Sequence, residues 1–219
     1  MSNIELPSDL KARIMKQASA MPATTRRIET RRALLLIAGS VAIAVAIFLA
    51  WGGIRVTGRP TALIVGTSLG TAVIAAVGIW FALGRRRSML GRSSIALSVM
   101  AFVTPLALLF WKVVYSSQFP GGLDPWPGRI GYKCFRLSLM MGALPLLALL
   151  FARRGTDPTH PRIAGLSAGA SVGLCVALFV DAWCPVGYMP HFLLGHLLPI
   201  VLLALAGFFA GWLLLAPRK

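Results

Sequence analysis

The sequence predicts an all-α integral membrane protein, a bundle of six transmembrane helices with a short cytoplasmic amphipathic helix at the N-terminus. Of the 219 residues, 57% are hydrophobic and 13% are charged, whereas a soluble domain carries about 25% charged residues. The chain also contains six apolar stretches of about 18 to 25 residues, the length that a helix needs to cross a hydrocarbon core of about 30 Å. The net charge of +16 would suit a nucleic-acid-binding protein. Such a protein displays its cations on a polar surface, which this composition excludes.

The six apolar stretches define the predicted domain organisation. In chain order they are Ala33–Trp51, Thr61–Leu83, Ser93–Tyr115, Phe135–Ala152, Ile163–Trp183 and His191–Leu215. Segments of this length must be helical, because lipid offers the backbone no hydrogen-bonding partner. We therefore expect a cytoplasmic arm (residues 1–32), a six-helix domain (33–215) and a short cytoplasmic tail (216–219).

The basic residues predict the orientation of this bundle. Sixteen of the 22 Lys and Arg residues lie in the N-terminal arm, the second and fourth loops and the C-terminus, and six lie on the opposite side. The positive-inside rule then places both termini in the cytoplasm of a bacterium, with the chain in the inner membrane. Most of the charge thus sets topology, and anionic lipid is the expected contact rather than nucleic acid. The first apolar stretch follows 32 polar residues, so we expect an anchor rather than a cleaved leader.

The arm contains a predicted amphipathic helix. Ser8 is a plausible N-cap, and the helix is expected to end at Met21, before Pro22. Its apolar residues recur at helical spacing, with basic residues beside them. A helix this short needs a surface to lie on, either the bilayer or the groove of a partner. The residues of the candidate partner-binding surface are Leu10, Lys11, Arg13, Ile14, Lys16, Ala18 and Met21.

Two cysteines are predicted to lie at the same level on the outer side. Cys134 opens the fourth span and Cys184 closes the fifth, and the two spans form an antiparallel pair of similar length. Arg136 lies two residues from Cys134, and Asp181 lies three residues from Cys184. An ion pair between Arg136 and Asp181 is therefore expected beside the sulfur atoms. Lys112, like Arg136, is near enough to the surface for its charged end to reach water.

Three interpretations of these cysteines are open. They form a structural disulfide or remain unpaired thiols, they form a redox-responsive pair, or they bind zinc together with His191. His196 is not included in that metal site, because five residues of α-helix place it about 140° around the axis from His191. No cofactor is otherwise predicted.

Glycines recur at four-residue intervals in three spans. Such spacing puts them on one helix face, where they favour close packing, here within the chain. The sets are Gly66 and Gly70; Gly165, Gly169 and Gly173; and Gly207 and Gly211. Residues 66–70 also match the G-x-S-x-G pattern of serine hydrolases. That motif requires a strand-to-helix turn and a partnered His and Asp, so no enzyme is predicted.

The layout resembles the NrsF-like family of six-span membrane anti-sigma factors, which includes CarR-like regulators. The residues that carry the resemblance are Cys134, the glycine-rich fifth span, and residues 184–199, which read CPVGYMPHFLLGHLLP. Membership would imply that the arm sequesters a sigma factor of RNA polymerase and that the bundle releases it on a signal. Family cysteines map onto Cys134 and Cys184, which with Arg136 and Asp181 are the sensing candidates.

An alternative function is a small transporter or membrane enzyme subunit of unknown substrate. It would need a polar cavity, for which Asp181, His191, His196 and Arg136 are the available cluster. The stimulus, the particular sigma factor and the oligomeric state are left open by the sequence.

Overall fold

The protein is helical in a computed structural model that describes residues 9, 12, 26–54, 60–83, 93–125, 131–154, 159–184 and 186–216. Its helices are α1 (Arg26–Ala50), α2 (Thr61–Leu83), α3 (Ser94–Ser116), α4 (Tyr132–Ala152), α5 (Pro161–Trp183) and α6 (Met189–Leu214). The chain divides into two compact units, Met1–Arg32 and Ala33–Lys219. Within the first unit, Asp9 and Ala12 are helical and exposed. All seven candidate partner-binding residues lie outside the described residues.

Each of the six helices is long and apolar enough to cross a membrane, among the residues that the structure describes. Large apolar side chains such as Phe102, Phe110 and Leu213 are exposed on the outside of the bundle, as lipid-facing side chains are. The predicted all-α class with six membrane-spanning helices is therefore confirmed, and the protein is a membrane protein. The helix starts differ from the predicted spans, since α1 begins at Arg26 and α4 at Tyr132. The apolar residues of a span mark the part of the helix that lies in lipid, and the same helix can begin several residues earlier among polar residues.

α5 is the most enclosed helix of the bundle, with 78% of its span buried against 44% for α4. Its glycines face α6 at very close range. A Cβ atom at Gly169 would collide with the carbonyl of Leu203, and one at Gly165 would collide with the carbonyl of Gly207. The glycine spacing therefore permits close contact between two helices of one chain, as the sequence predicts.

The glycines of α2 receive aromatic side chains from α3. Gly70 lies against Trp111 and Gly66 against Tyr115. Trp111 Nε1 donates a hydrogen bond to the Gly66 carbonyl (3.2 Å), and the Tyr115 hydroxyl donates to the Ala62 carbonyl (3.0 Å). The G-x-S-x-G segment thus lies inside a helix and serves packing.

Candidate functional site

The two cysteines meet at one end of the bundle. Cys134 lies in the first turn of α4, Cys184 directly follows α5, and His191 lies in the first turn of α6. Each Sγ is 3.4 Å from Nε2 of His191. Both cysteines are buried thiols rather than the two halves of a disulfide. The expectation that the cysteines share a level is confirmed, and a histidine joins them.

His196 also belongs to this cluster, and the prediction that it points elsewhere is wrong. Residues Leu193–Leu197 form a single π-helical turn between two α-helical parts of α6. A π turn accommodates more residues than an α turn, so residues five apart come to the same face. The His191 and His196 rings are 5.5 Å apart. The ligand atoms of the two cysteines and two histidines all lie within 4.8 Å of one another.

Asp181 connects the cluster to α2 and α3. Its Oδ1 accepts a hydrogen bond from His196 Nδ1 (3.0 Å) and lies 2.8 Å from Lys112 Nζ. Its Oδ2 accepts a hydrogen bond from the Thr71 hydroxyl (2.8 Å). The side chains of Asp181 and Lys112 are 1% and 2% exposed, so this is a fully buried ion pair. Burial of two charges is costly unless they are paired. Here the Asp181 carboxylate faces Lys112 and also accepts hydrogen bonds from His196 and Thr71.

Two expectations about charged residues are corrected by this network. Lys112 does not extend to the surface but points inward, because Asp181 offers an anion inside the bundle. Arg136 is not the partner of Asp181. It is exposed, with its guanidinium 5.7 Å from the centre of the Tyr132 ring.

The cluster is enclosed by apolar side chains. Leu137, Val180 and Val186 pack around the two cysteines. Trp183 Nε1 donates a hydrogen bond to the Trp51 carbonyl (2.9 Å), which joins the ends of α1 and α5 beside the cluster. Hydrogen bonding to Cys134 is the largest of the interactions that lower the pKa of the Cys184 thiol, which burial alone would raise. The two thiols and His191 therefore share a dry, hydrogen-bonded environment.

Two glycines hold the start of α4 against the π turn. Gly131 has a positive φ of 95°, and a Cβ there would lie 2.9 Å from the His191 carbonyl. A Cβ at Gly195 would lie 2.9 Å from the Gly131 carbonyl oxygen and 3.0 Å from Cys134 Cβ. The distance between Cys134 and the histidines thus depends on two residues without side chains.

Gly195→Ala is expected to separate α4 from the π turn and to lower the free energy of unfolding by about 1 to 3 kcal/mol, as overpacking does. The measurement is unfolding of the purified protein in mixed detergent micelles. The rate of Cys134 modification by a maleimide in folded protein should rise. An unchanged modification rate would contradict the close contact between Gly131 and Gly195.

Sequence reasoning missed Thr71, expected Lys112 to reach the surface, and named His196 only for the polar cavity of the alternative function, not for the cysteine site. The signal for Lys112 was present, since an intramembrane ion of one sign calls for a partner of the other, and Asp181 was available. Thr71 had no comparable signal, and the uniform helix assumed for His196 directed it away from the cysteines.

Comparisons with known proteins show which family the chain belongs to. The family model described as NrsF, negative regulator of sigma F, matches residues 17–216. The anti-sigma-F factor NrsF of Caulobacter vibrioides (strain NA1000 / CB15N) is 31% identical over 126 residues, which are 57% of this chain and 58% of that protein. No solved structure matches the chain. Since the family model covers nearly the whole chain, the protein belongs to the NrsF family of negative regulators of sigma F.

Proposed function

We propose that the protein is an anti-sigma factor of the bacterial inner membrane. In this proposal the N-terminal arm sequesters an RNA polymerase sigma factor, and the bundle releases it in response to a signal. The observation that carries the proposal is the match of a family of negative regulators of sigma F to residues 17–216. This family description is regulatory, so we infer a binding protein rather than an enzyme. The C. vibrioides relative is itself named an anti-sigma-F factor.

The charge distribution supports a cytoplasmic arm. Sixteen of the 22 basic residues lie on the side that includes both termini, which the positive-inside rule assigns to the cytoplasm. A sigma factor is a cytoplasmic protein, and the arm is the sizeable polar segment on that side. Its predicted apolar stripe, flanked by basic residues, suits a groove with an acidic rim.

The cluster of Cys134, Cys184, His191 and His196 supports a sensing role for the opposite end of the bundle. It is buried and contains two thiols. For release to follow a signal at this end, the bundle needs one state that holds the sigma factor and one that releases it. The signal must stabilise the releasing state more than the holding state. Asp181 remains a sensing candidate because it bonds to His196, whereas Arg136 is directed away from it.

The transporter alternative required a polar cavity. The candidate lining residues Asp181, His191 and His196 instead lie buried and bonded to neighbouring side chains. We therefore keep regulation as the proposed function.

The test of the arm is co-purification of the full-length protein in detergent with the sigma factor encoded beside its gene. Leu10→Asp combined with Ile14→Asp places two charges on the apolar stripe. We expect binding to weaken by at least tenfold, which corresponds to about 1.4 kcal/mol.

The matched control is Ala12→Asp combined with Ser19→Asp, which adds the same charge to the opposite face of the predicted helix. It should retain binding. Equal loss in both double variants would show a charge effect rather than a binding face, and unchanged binding in the first variant would refute the arm as the binding segment.

A further inference from the structure

The four cluster residues have the separations of a tetrahedral metal site. A zinc ion with bonds of about 2.3 Å to sulfur and about 2.0 Å to nitrogen holds sulfur and nitrogen about 3.5 Å apart. Both cysteine Sγ atoms lie 3.4 Å from His191 Nε2. All four ligand atoms lie within 4.8 Å of one another, so little movement is needed to close around an ion.

The His196 ring has the orientation of a metal ligand, with one ring nitrogen bonded to a carboxylate and the other facing the cluster. Its Nδ1 is bonded to Asp181, which leaves Nε2 to the cluster, where it is buried and interacts with the Cys184 thiol. A carboxylate on the far ring nitrogen is the usual way in which proteins fix the tautomer and orientation of a metal-binding histidine.

The π turn is a second, independent observation. Such turns are rare and are frequently found at functional sites. Here the turn brings His196 to the same face as His191.

Charge and donor type favour a divalent ion that prefers sulfur and nitrogen ligands, such as zinc. Two thiolates carry a charge of −2, and the Lys112–Asp181 pair beside them is neutral. In an enclosed, low-dielectric site a divalent cation brings the sum to zero, whereas a monovalent ion leaves a net charge. Sulfur and imidazole donors select zinc over calcium or magnesium, which prefer oxygen.

We propose that Cys134, Cys184, His191 and His196 bind one Zn²⁺ ion at the end of the bundle, with Asp181 as the positioning residue for His196. The ion joins α4, α5 and α6, since each of these helices or its end supplies a ligand. The zinc site is a proposal in addition to the proposed function. The two are tested separately, because zinc binding is measured on the purified protein without a sigma factor.

The experiment is titration of the full-length, thiol-reduced protein in detergent with Co²⁺ and Zn²⁺. We expect one metal ion per chain, and the cobalt form should show the bands of tetrahedral coordination and of thiolate-to-metal charge transfer. Cys134→Ser, Cys184→Ser and His196→Gln should each lose these bands. Cys175→Ser is the matched control, since this third cysteine lies on α5 away from the cluster and should bind normally.

Two further variants separate ligand loss from misfolding. His196→Cys keeps a donor at this position and should still bind Co²⁺, with a stronger charge-transfer band. Asp181→Asn should weaken zinc binding by about 10- to 100-fold while keeping the stoichiometry, as loss of an orienting carboxylate does. Absence of Co²⁺ binding in the reduced wild-type protein would overturn the proposal. Normal binding by His196→Gln would overturn the four-ligand site.

Discussion

Asp181→Ala is expected to destabilise the bundle by about 3 to 5 kcal/mol, the cost of leaving one member of a buried ion pair without its partner. The Lys112 side chain, which is 2% exposed, would lose the Asp181 carboxylate with which it is paired. Thr71 and His196 would each lose an acceptor as well. The measurement is the free energy of unfolding in mixed detergent micelles.

Two comparisons test this explanation. Arg136→Ala removes an exposed charge and should cost about 1 kcal/mol or less, the strength of its contact with the Tyr132 ring. Lys112→Met combined with Asp181→Asn removes both charges and should be more stable than Asp181→Ala alone. If Asp181→Ala cost no more than Arg136→Ala, the pair would not be buried in the folded protein.

Gly169→Val is expected to separate α5 from α6 and to destabilise the protein by about 1 to 3 kcal/mol, the usual cost of overpacking a core. The obstruction is backbone, since a Cβ at Gly169 would collide with the carbonyl of Leu203 and meet Ala204 Cα. A backbone obstruction cannot move away as a flexible side chain can, so the cost should lie at the upper end. The same unfolding measurement applies.

Gly39→Val provides the control for the glycine prediction. Gly39 lies in α1, and a Cβ added there would have no atom of the described residues within 4 Å, so the new side chain meets open space. Its unfolding free energy should stay within about 0.5 kcal/mol of wild type, as surface substitutions generally do. Equal losses at Gly39 and Gly169 would indicate a general effect of valine in these helices rather than a collision.

The fold was predictable because the bilayer restricts what a sequence can do. A spanning segment must be long, apolar and helical, so hydropathy alone locates α1 to α6. Cys134, Cys184 and His191 were also predictable, because they lie at helix ends whose level follows from topology.

The remaining part of the site depends on rotation about helix axes. Lys112 lies on α3 at a level from which it could reach water, and only the packing of α3 against α5 turns it toward Asp181. The direction expected for His196 was wrong because a uniform α-helix does not contain the π turn that rotates this residue. Hydropathy reports depth in the membrane, not the direction in which a side chain points.

The π turn of α6 also sets the phase between the two halves of that helix. His191 precedes the turn, and Gly207 and Gly211, which lie against α5, follow it. One residue more or less in a helix rotates everything beyond it by about 100°. Loss of a single residue between 193 and 197 would therefore misalign either the histidines or the glycines, since both cannot keep their direction. The length of this five-residue segment is thus constrained separately from its composition.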